Sequence, residues 1–193
     1  MFTILRIDRM VTYNFIEEYP DSLTDSDCKF IISWFDKNNK LYIKGKSEFG
    51  EKISTDIHMD IRNNDDVTNL ILPALSECVT RYKQKYYLLD NLDKWSIYSA
   101  YNLQRYFPGE GYPSVHCEQG GISDYQYARM LVWTLYLNTV TDEGGTCYPY
   151  QNTIVPAKTG TIVLFPAAWT HMHKGVISKT QTKYIATGWF NYV

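Results

Sequence analysis

Helices in the first half and an antiparallel sheet in the second, an α+β fold, are what the sequence predicts, on three observations. Apolar residues recur at three- and four-residue spacing in two segments before residue 94, short aromatic and β-branched runs crowd the chain from Trp95 onward, and turn signals separate those runs. With 193 residues and 45% apolar composition, the chain is long enough for one good core and short for two. It contains no low-complexity tract, internal repeat or linker. A single domain over 1–193 is therefore expected, with a helical support region at 1–94 and a strand-rich core at 95–193.

The opening MFTILRIDRMVTYNFIEEYP is interrupted by Arg6, Asp8, Arg9, Glu17 and Glu18, which leaves neither the apolar core of a signal peptide nor a membrane span. A cytoplasmic location is the expectation. In SLTDSDCKFIISWFDKNNK, Thr24 and Asp27 form a capping-box-like start, Cys28, Ile31, Ile32 and Phe35 share one helical face, and Asn38 and Asn39 mark a stop. A second helix fits DDVTNLILPALSECVTRYKQKYY, where Val67, Leu70, Ile71, Ala74, Cys78 and Val79 recur at helical spacing and Pro73 is expected to kink or break it.

At least five strands follow: WSIYSAYNLQRYF, MLVWTLYLNTV, GTCYPYQNTIV, GTIVLFPA and KYIATGWFNYV, separated by PGEGYP, DEGG and PAKTG. The seventeen tyrosines suit pleated, half-buried surfaces. A formal charge of −2 with mixed signs gives no basic footprint, so no nucleic-acid partner is expected, and no membrane partner either. Cys28, Cys78, Cys117 and Cys147 are far apart with no CxxC pair, which reads as reduced, mostly buried thiols.

The chemistry concentrates late in the chain. In YPSVHCEQGG, His116 and Glu118 are two residues apart, so on an extended segment both side chains face the same way. A further histidine would complete two histidines and one carboxylate, the facial triad of non-haem Fe(II) oxygenases. WTHMHKG offers His171 and His173, which point the same way on a strand, and periodicity does not choose between them. Asp124 is an alternative carboxylate, although a loop acid after GG is more often only solvated.

In order along the last ninety or so residues, YNLQRYFPGEGYPSVHCE, RMLVWTLYLN, DEGGTCYP, PAKTGTIVLFP and HKGVISKTQTKYIATGW resemble the Fe(II)- and 2-oxoglutarate-dependent dioxygenases. Within them the likeness is to the prolyl 4-hydroxylases, including the short phage and bacterial forms. The resemblance implies a double-stranded β-helix (jelly-roll, cupin-like) core at 95–193. It also implies Fe(II), 2-oxoglutarate and O2, with ascorbate as a possible reductant. In that family a lysine ten residues after the distal histidine binds the far carboxylate of 2-oxoglutarate, a spacing that His173 and Lys183 share; His171 would be twelve away. The metal set implied is thus His116, Glu118 and His173, with His171 as a neighbour. Glu118 stands where the family usually has aspartate.

By the same resemblance, Lys183, Tyr106, Thr161 and Thr187 meet the cosubstrate. Arg129, Tyr112 and Trp189 match positions that touch a peptide, and a proline-containing peptide or protein is the expected substrate. Each residue also has a plainer reading: Trp189 as core, Arg129 as a surface cation, the threonines as ordinary strand residues. Two other functions stay open, hydroxylation of another side chain or a small molecule, and a cupin-like metal-binding module without turnover.

Overall fold

The computed structural model describes residues 13–46, 51–121 and 123–193. Most of the amino-terminal stretch read above for a leader or a membrane span, residues 1–12, lies outside the described residues. Among the described residues, no helix is long and apolar enough to cross a membrane. The strands are β1 (Glu17–Tyr19), β2 (Ile43–Lys44), β3 (Thr55–Asp60), β4 (Trp95–Tyr106), β5 (Arg129–Tyr136), β6 (Thr146–Tyr148), β7 (Thr153–Val155), β8 (Ile162–Pro166), β9 (Lys174–Gly175) and β10 (Lys183–Tyr192). The helices are α1 (Asp25–Lys37), α2 (Asp66–Lys85) and the single turn α3 (Asp124–Tyr127).

Both expected long helices form. The Thr24 side chain accepts the Asp27 amide while the Asp27 carboxylate accepts the Thr24 amide, closing the capping box, and Asn38 ends α1. Of the kink or break expected at Pro73, the break does not occur, and α2 continues through it. Its buried stripe of Val67, Ile71, Leu75, Cys78 and Tyr82 holds it against the sheet. Pro73 lies on the solvent side, where the carbonyl of Asn69, four residues earlier, loses its helical donor but reaches water.

A seven-stranded antiparallel sheet runs β1-β8-β5-β10-β4-β3-β2, and a three-stranded one runs β7-β6-β9. The segment before residue 95 is therefore more than helical support, since β1, β2 and β3 extend the large sheet at both edges. β1 and β2 are too short to show a period, and in β3 the alternation is masked by Asp56, a buried acid.

Strand alternation divides the large sheet into two faces. Leu131, Trp133 and Leu135 of β5, Ile162 and Leu164 of β8, Ala186 and Phe190 of β10, and Tyr101 and Leu103 of β4 pack against α1 and α2. The intervening residues face the other way. Some join Tyr148 and Val155 of the small sheet in a second core, and the rest line a cavity of about 880 Å³. Two antiparallel sheets closed over a shared interior make a double-stranded β-helix, braced on its outer face by helices. All four cysteines are free, Cys28 and Cys78 buried, Cys117 and Cys147 half-buried.

Gly188 on β10 lies against the buried Trp133 ring, and a Cβ there would stand 2.7 Å from the indole atoms. Gly188→Ala should destabilise the fold by about 1–3 kcal/mol through overpacking, read as a lower urea midpoint. An unchanged midpoint would mean that the Trp133 ring yields freely.

Candidate active site

His116 and His173 face each other across an isolated antiparallel bridge. The His116 amide donates to the His173 carbonyl at 2.9 Å, and the His173 amide returns the bond at 2.8 Å. Such a pair places both side chains on one side of the ribbon. The rings sit 4.4 Å apart by centroid. Each Nδ1 lies against a backbone carbonyl, that of Ser114 at 2.9 Å for His116 and that of His171 at 3.0 Å for His173. A carbonyl only accepts, so both Nδ1 atoms carry a proton, and in the neutral rings it is Nε2 that presents a lone pair.

Those lone pairs converge on Glu118. Its Oε1 lies 3.4 Å from Nε2 of His116 and 3.6 Å from Nε2 of His173. Among the described residues this is the one grouping of three such side chains suited to a metal ion, with the donor atoms all within 4.8 Å of one another. Burial alone would raise the Glu118 carboxyl, but hydrogen bonding and charge from the two histidines outweigh it and hold it well below its usual value. Two imidazole nitrogens and a carboxylate oxygen aimed at one point can hold a cation between them in place of those hydrogen bonds. The donor set fits the 2-His-1-carboxylate facial triad of Fe(II).

The second carboxylate oxygen is held separately. Oε2 of Glu118 accepts from Arg129 Nη1 and from Trp189 Nε1, each at 3.0 Å. The Arg129 guanidinium carbon lies 3.8 Å from the Trp189 ring centroid. Trp189 is in phase with Lys183, Ile185 and Thr187 on β10, so strand alternation turns it into the cavity, and register breaks against β4 and β5 lie beside it.

His171 stands elsewhere. Residues 169–171 form a tight 3-10 turn instead of a strand, so the shared direction expected for His171 and His173 does not hold. The His171 ring meets the Asn14 carbonyl through Nε2 at 2.8 Å and the Thr170 hydroxyl through Nδ1 at 3.0 Å. Asp124 opens α3 as an exposed residue outside the cluster.

At another wall of the cavity, Lys183 is buried directly across the strand pair from Tyr106. Its Nζ donates to the Gly144 carbonyl at 2.9 Å and lies 4.8 Å from the Tyr106 ring centroid. Among the described residues no carboxylate pairs with it. Burial pulls its amine from 10.5 down to about 8. The Tyr106 hydroxyl donates to Gln104 Oε1 at 2.8 Å. Gln104 Nε2 donates to Asp56, which is also bound by Lys52 and Ser54. A carboxylate accepts only, so Asp56 fixes which end of the Gln104 amide meets Tyr106.

Thr187 lines the cavity, donating its hydroxyl to the Trp133 carbonyl at 3.0 Å. Thr161 is buried just ahead of β8 and is not among the lining residues. Tyr112 stacks on His116 with ring centroids 3.9 Å apart. Among the lining residues that escaped the sequence reading are Tyr136 and Thr146, whose hydroxyls bond to each other at 2.7 Å. Thr146 follows the GG turn, and that adjacency was the one signal available.

His116→Ala and His173→Ala should each lose Co(II) binding measured calorimetrically on the metal-free protein, by about ten- to a hundredfold or more. His171→Ala should keep it. The reverse pattern would move the metal site to His171.

A family model described as the 2OG-Fe(II) oxygenase superfamily matches residues 101–191, the stretch that contains every residue of this cluster. The fold is similar to that of the viral collagen prolyl hydroxylase of Paramecium Bursaria Chlorella virus-1 in its 2OG complex, at 20% identity and a TM-score of 0.71, over 93% of this chain and 97% of that one. A Pseudomonas putida prolyl-4-hydroxylase gives 16% identity and a TM-score of 0.69, over 93% of each chain. The carbocyclase SnoK of nogalamycin biosynthesis gives 11% and 0.68, over 92% of this chain and 79% of that one. No curated protein sequence matches significantly. Residues 101–191 thus match the 2OG-Fe(II) oxygenase superfamily, and this match together with the fold makes the protein a 2-oxoglutarate-dependent dioxygenase that works with Fe(II), 2-oxoglutarate and O2.

Proposed function

We propose that this dioxygenase hydroxylates a prolyl residue in a peptide or protein. Its Fe(II) would be held by His116, Glu118 and His173, and its 2-oxoglutarate by Lys183 and Tyr106. The observation that carries the cosubstrate assignment is Lys183, a buried ammonium with only a neutral carbonyl and an aromatic face for company among the described residues. A buried cation without a counter-ion is costly, and a dicarboxylate supplies the missing anion. Tyr106 adds a hydroxyl that would turn from Gln104 to donate to the carboxylate, and Thr187 lies further along β10 on the same wall. Fe(II) held there would activate O2, one oxygen atom going to succinate as 2-oxoglutarate loses CO2 and the other into a C–H bond of the substrate.

The chain's own contribution is placement. The two Nδ1–H bonds keep each imidazole in the ligating tautomer, and the walls of the β-helix shield the reacting centre from bulk water. A cavity of about 880 Å³ exceeds the needs of a five-carbon diacid and leaves room for a substrate segment. Tyr112, Tyr98, Tyr125 and Trp189 line it, and aromatic faces pack well on a pyrrolidine ring. Arg129 lies beside them, within reach of a peptide carbonyl near Glu118. Similarity in fold to collagen-directed and bacterial prolyl hydroxylases supports this substrate class.

Incubation with Fe(II), 2-oxoglutarate and proline-containing peptide libraries should give succinate together with peptides that gain one oxygen atom on proline, read by mass spectrometry. Succinate with no oxidised peptide, and oxygen found on small molecules instead, would overturn the peptide substrate. Lys183→Ala should weaken 2-oxoglutarate by about 2–3 kcal/mol, roughly thirty- to a hundredfold, with metal affinity unchanged.

The charged Lys183 is the form that binds a carboxylate, and in the free protein it loses its proton near 8. Affinity for 2-oxoglutarate should therefore be full below that value and fall as pH rises through it, by about tenfold per unit. Calorimetry with Mn(II) in place of Fe(II) reads this directly. Lys183→Arg, charged throughout, should give a flat profile. A flat wild-type profile would remove Lys183 as the carboxylate partner.

A further inference from the structure

We propose that Arg129 and Trp189 are positioning residues that clamp Glu118 so that one oxygen alone reaches the metal. The inference rests on the metal triad proposed above and is independent of the substrate.

A glutamate is long and has three rotatable side-chain bonds, and its carboxylate can chelate a cation through both oxygens. Chelation would consume a coordination position that a bidentate cosubstrate and O2 need. Here the two oxygens of Glu118 are divided. Oε1 faces the two imidazoles at 3.4 and 3.6 Å, and Oε2 accepts two N–H donors at 3.0 Å from the opposite side. Arg129 Nη1 also donates to the Glu118 backbone carbonyl at 3.0 Å, so one guanidinium nitrogen ties the carboxylate to its own main chain.

The clamp is itself rigid. Arg129 begins β5, Trp189 lies on β10, and their side chains stack with the guanidinium carbon 3.8 Å from the indole centroid. Both are buried. A guanidinium stacked on an indole keeps its in-plane donors fixed, and one of them, Nη1, meets Oε2. The residues that a sequence reading assigns to substrate contact thus direct N–H groups to the metal ligand.

Co(II) affinity of the metal-free protein tests this without turnover. Trp189→Phe keeps the ring and removes one donor; Arg129→Lys keeps the charge and removes the stacked planar donor. Because neither changes local charge, a loss of affinity reports carboxylate position. Each should weaken Co(II) by about tenfold or more. In Glu118→Asp the carboxylate is one methylene shorter and cannot reach both clamp and metal, so adding Trp189→Phe or Arg129→Lys should change affinity by less than about threefold. Thermal melting of each metal-free variant reports whether it is folded, and the Trp189→Phe cycle stands alone if Arg129→Lys does not fold.

Wild-type affinity in both variants would overturn the clamp while leaving the triad intact. So would a loss of the same size whether the clamp substitution is made in the wild-type chain or on top of Glu118→Asp. Co(II) binding by His173→Ala at wild-type strength would overturn the triad, and the clamp with it.

Discussion

Two backbone hydrogen bonds between His116 and His173 organise the site. They belong to no long strand; they form a lone bridge between the segment after β4 and the turn before β9. Across that bridge, residues 57 apart in sequence become neighbours with side chains on the same side. Glu118 follows from it, because a residue two further along an extended chain faces the same way. The neighbouring bonds from the Glu118 and Gln119 amides to the Ala167 carbonyl continue the pairing, and Gly175 closes on the Tyr112 carbonyl at the other end. The triad is therefore set mainly by main-chain geometry.

Around that bridge the protein buries charge in an ordered way. Lys52 and Asp56 form an ion pair with little exposure, and Asp56 also receives Ser54 and Gln104. Arg129 is paired with Glu118. Lys183 faces neutral groups among the described residues, and its lowered proton affinity measures the cost of that burial. Fully bonded buried charges fix a structure, whereas one held without its anion retains affinity for a ligand. The contrast marks Lys183 as a buried charge of this wall that has no carboxylate partner among the described residues.

The β-helix achieves this placement with few elements. Strand alternation sends one face of β4, β5 and β10 to the helices and the other to the cavity, so Tyr106, Thr134, Lys183 and Thr187 reach the interior through strand period alone. Trp189 lies at the register breaks at the far end of β10, with its indole aimed at Glu118. A large helix-packed core behind the sheet supplies the rigidity that such placement needs.

The sequence by itself determined the α1 capping box, the amphipathic stripes of α1 and α2, the main strands, and the pairing of His116 with Glu118, because each is a local pattern of caps, periods or two-residue spacing. It also carried the family likeness, through the ten-residue interval from His173 to Lys183. Tertiary structure alone decided the rest. The 3-10 turn at 169–171 hands the His171 ring to Asn14, a partner 157 residues away that no local pattern announces. Exposure on the solvent face lets Pro73 sit within α2. The edge strands β1 to β3 are too short, or too rich in acid, to declare a period. Above all, that Arg129 and Trp189 grip Glu118 depends on strands and a loop meeting at one carboxylate, and hydrogen-bond partners distant in the chain leave no trace in spacing.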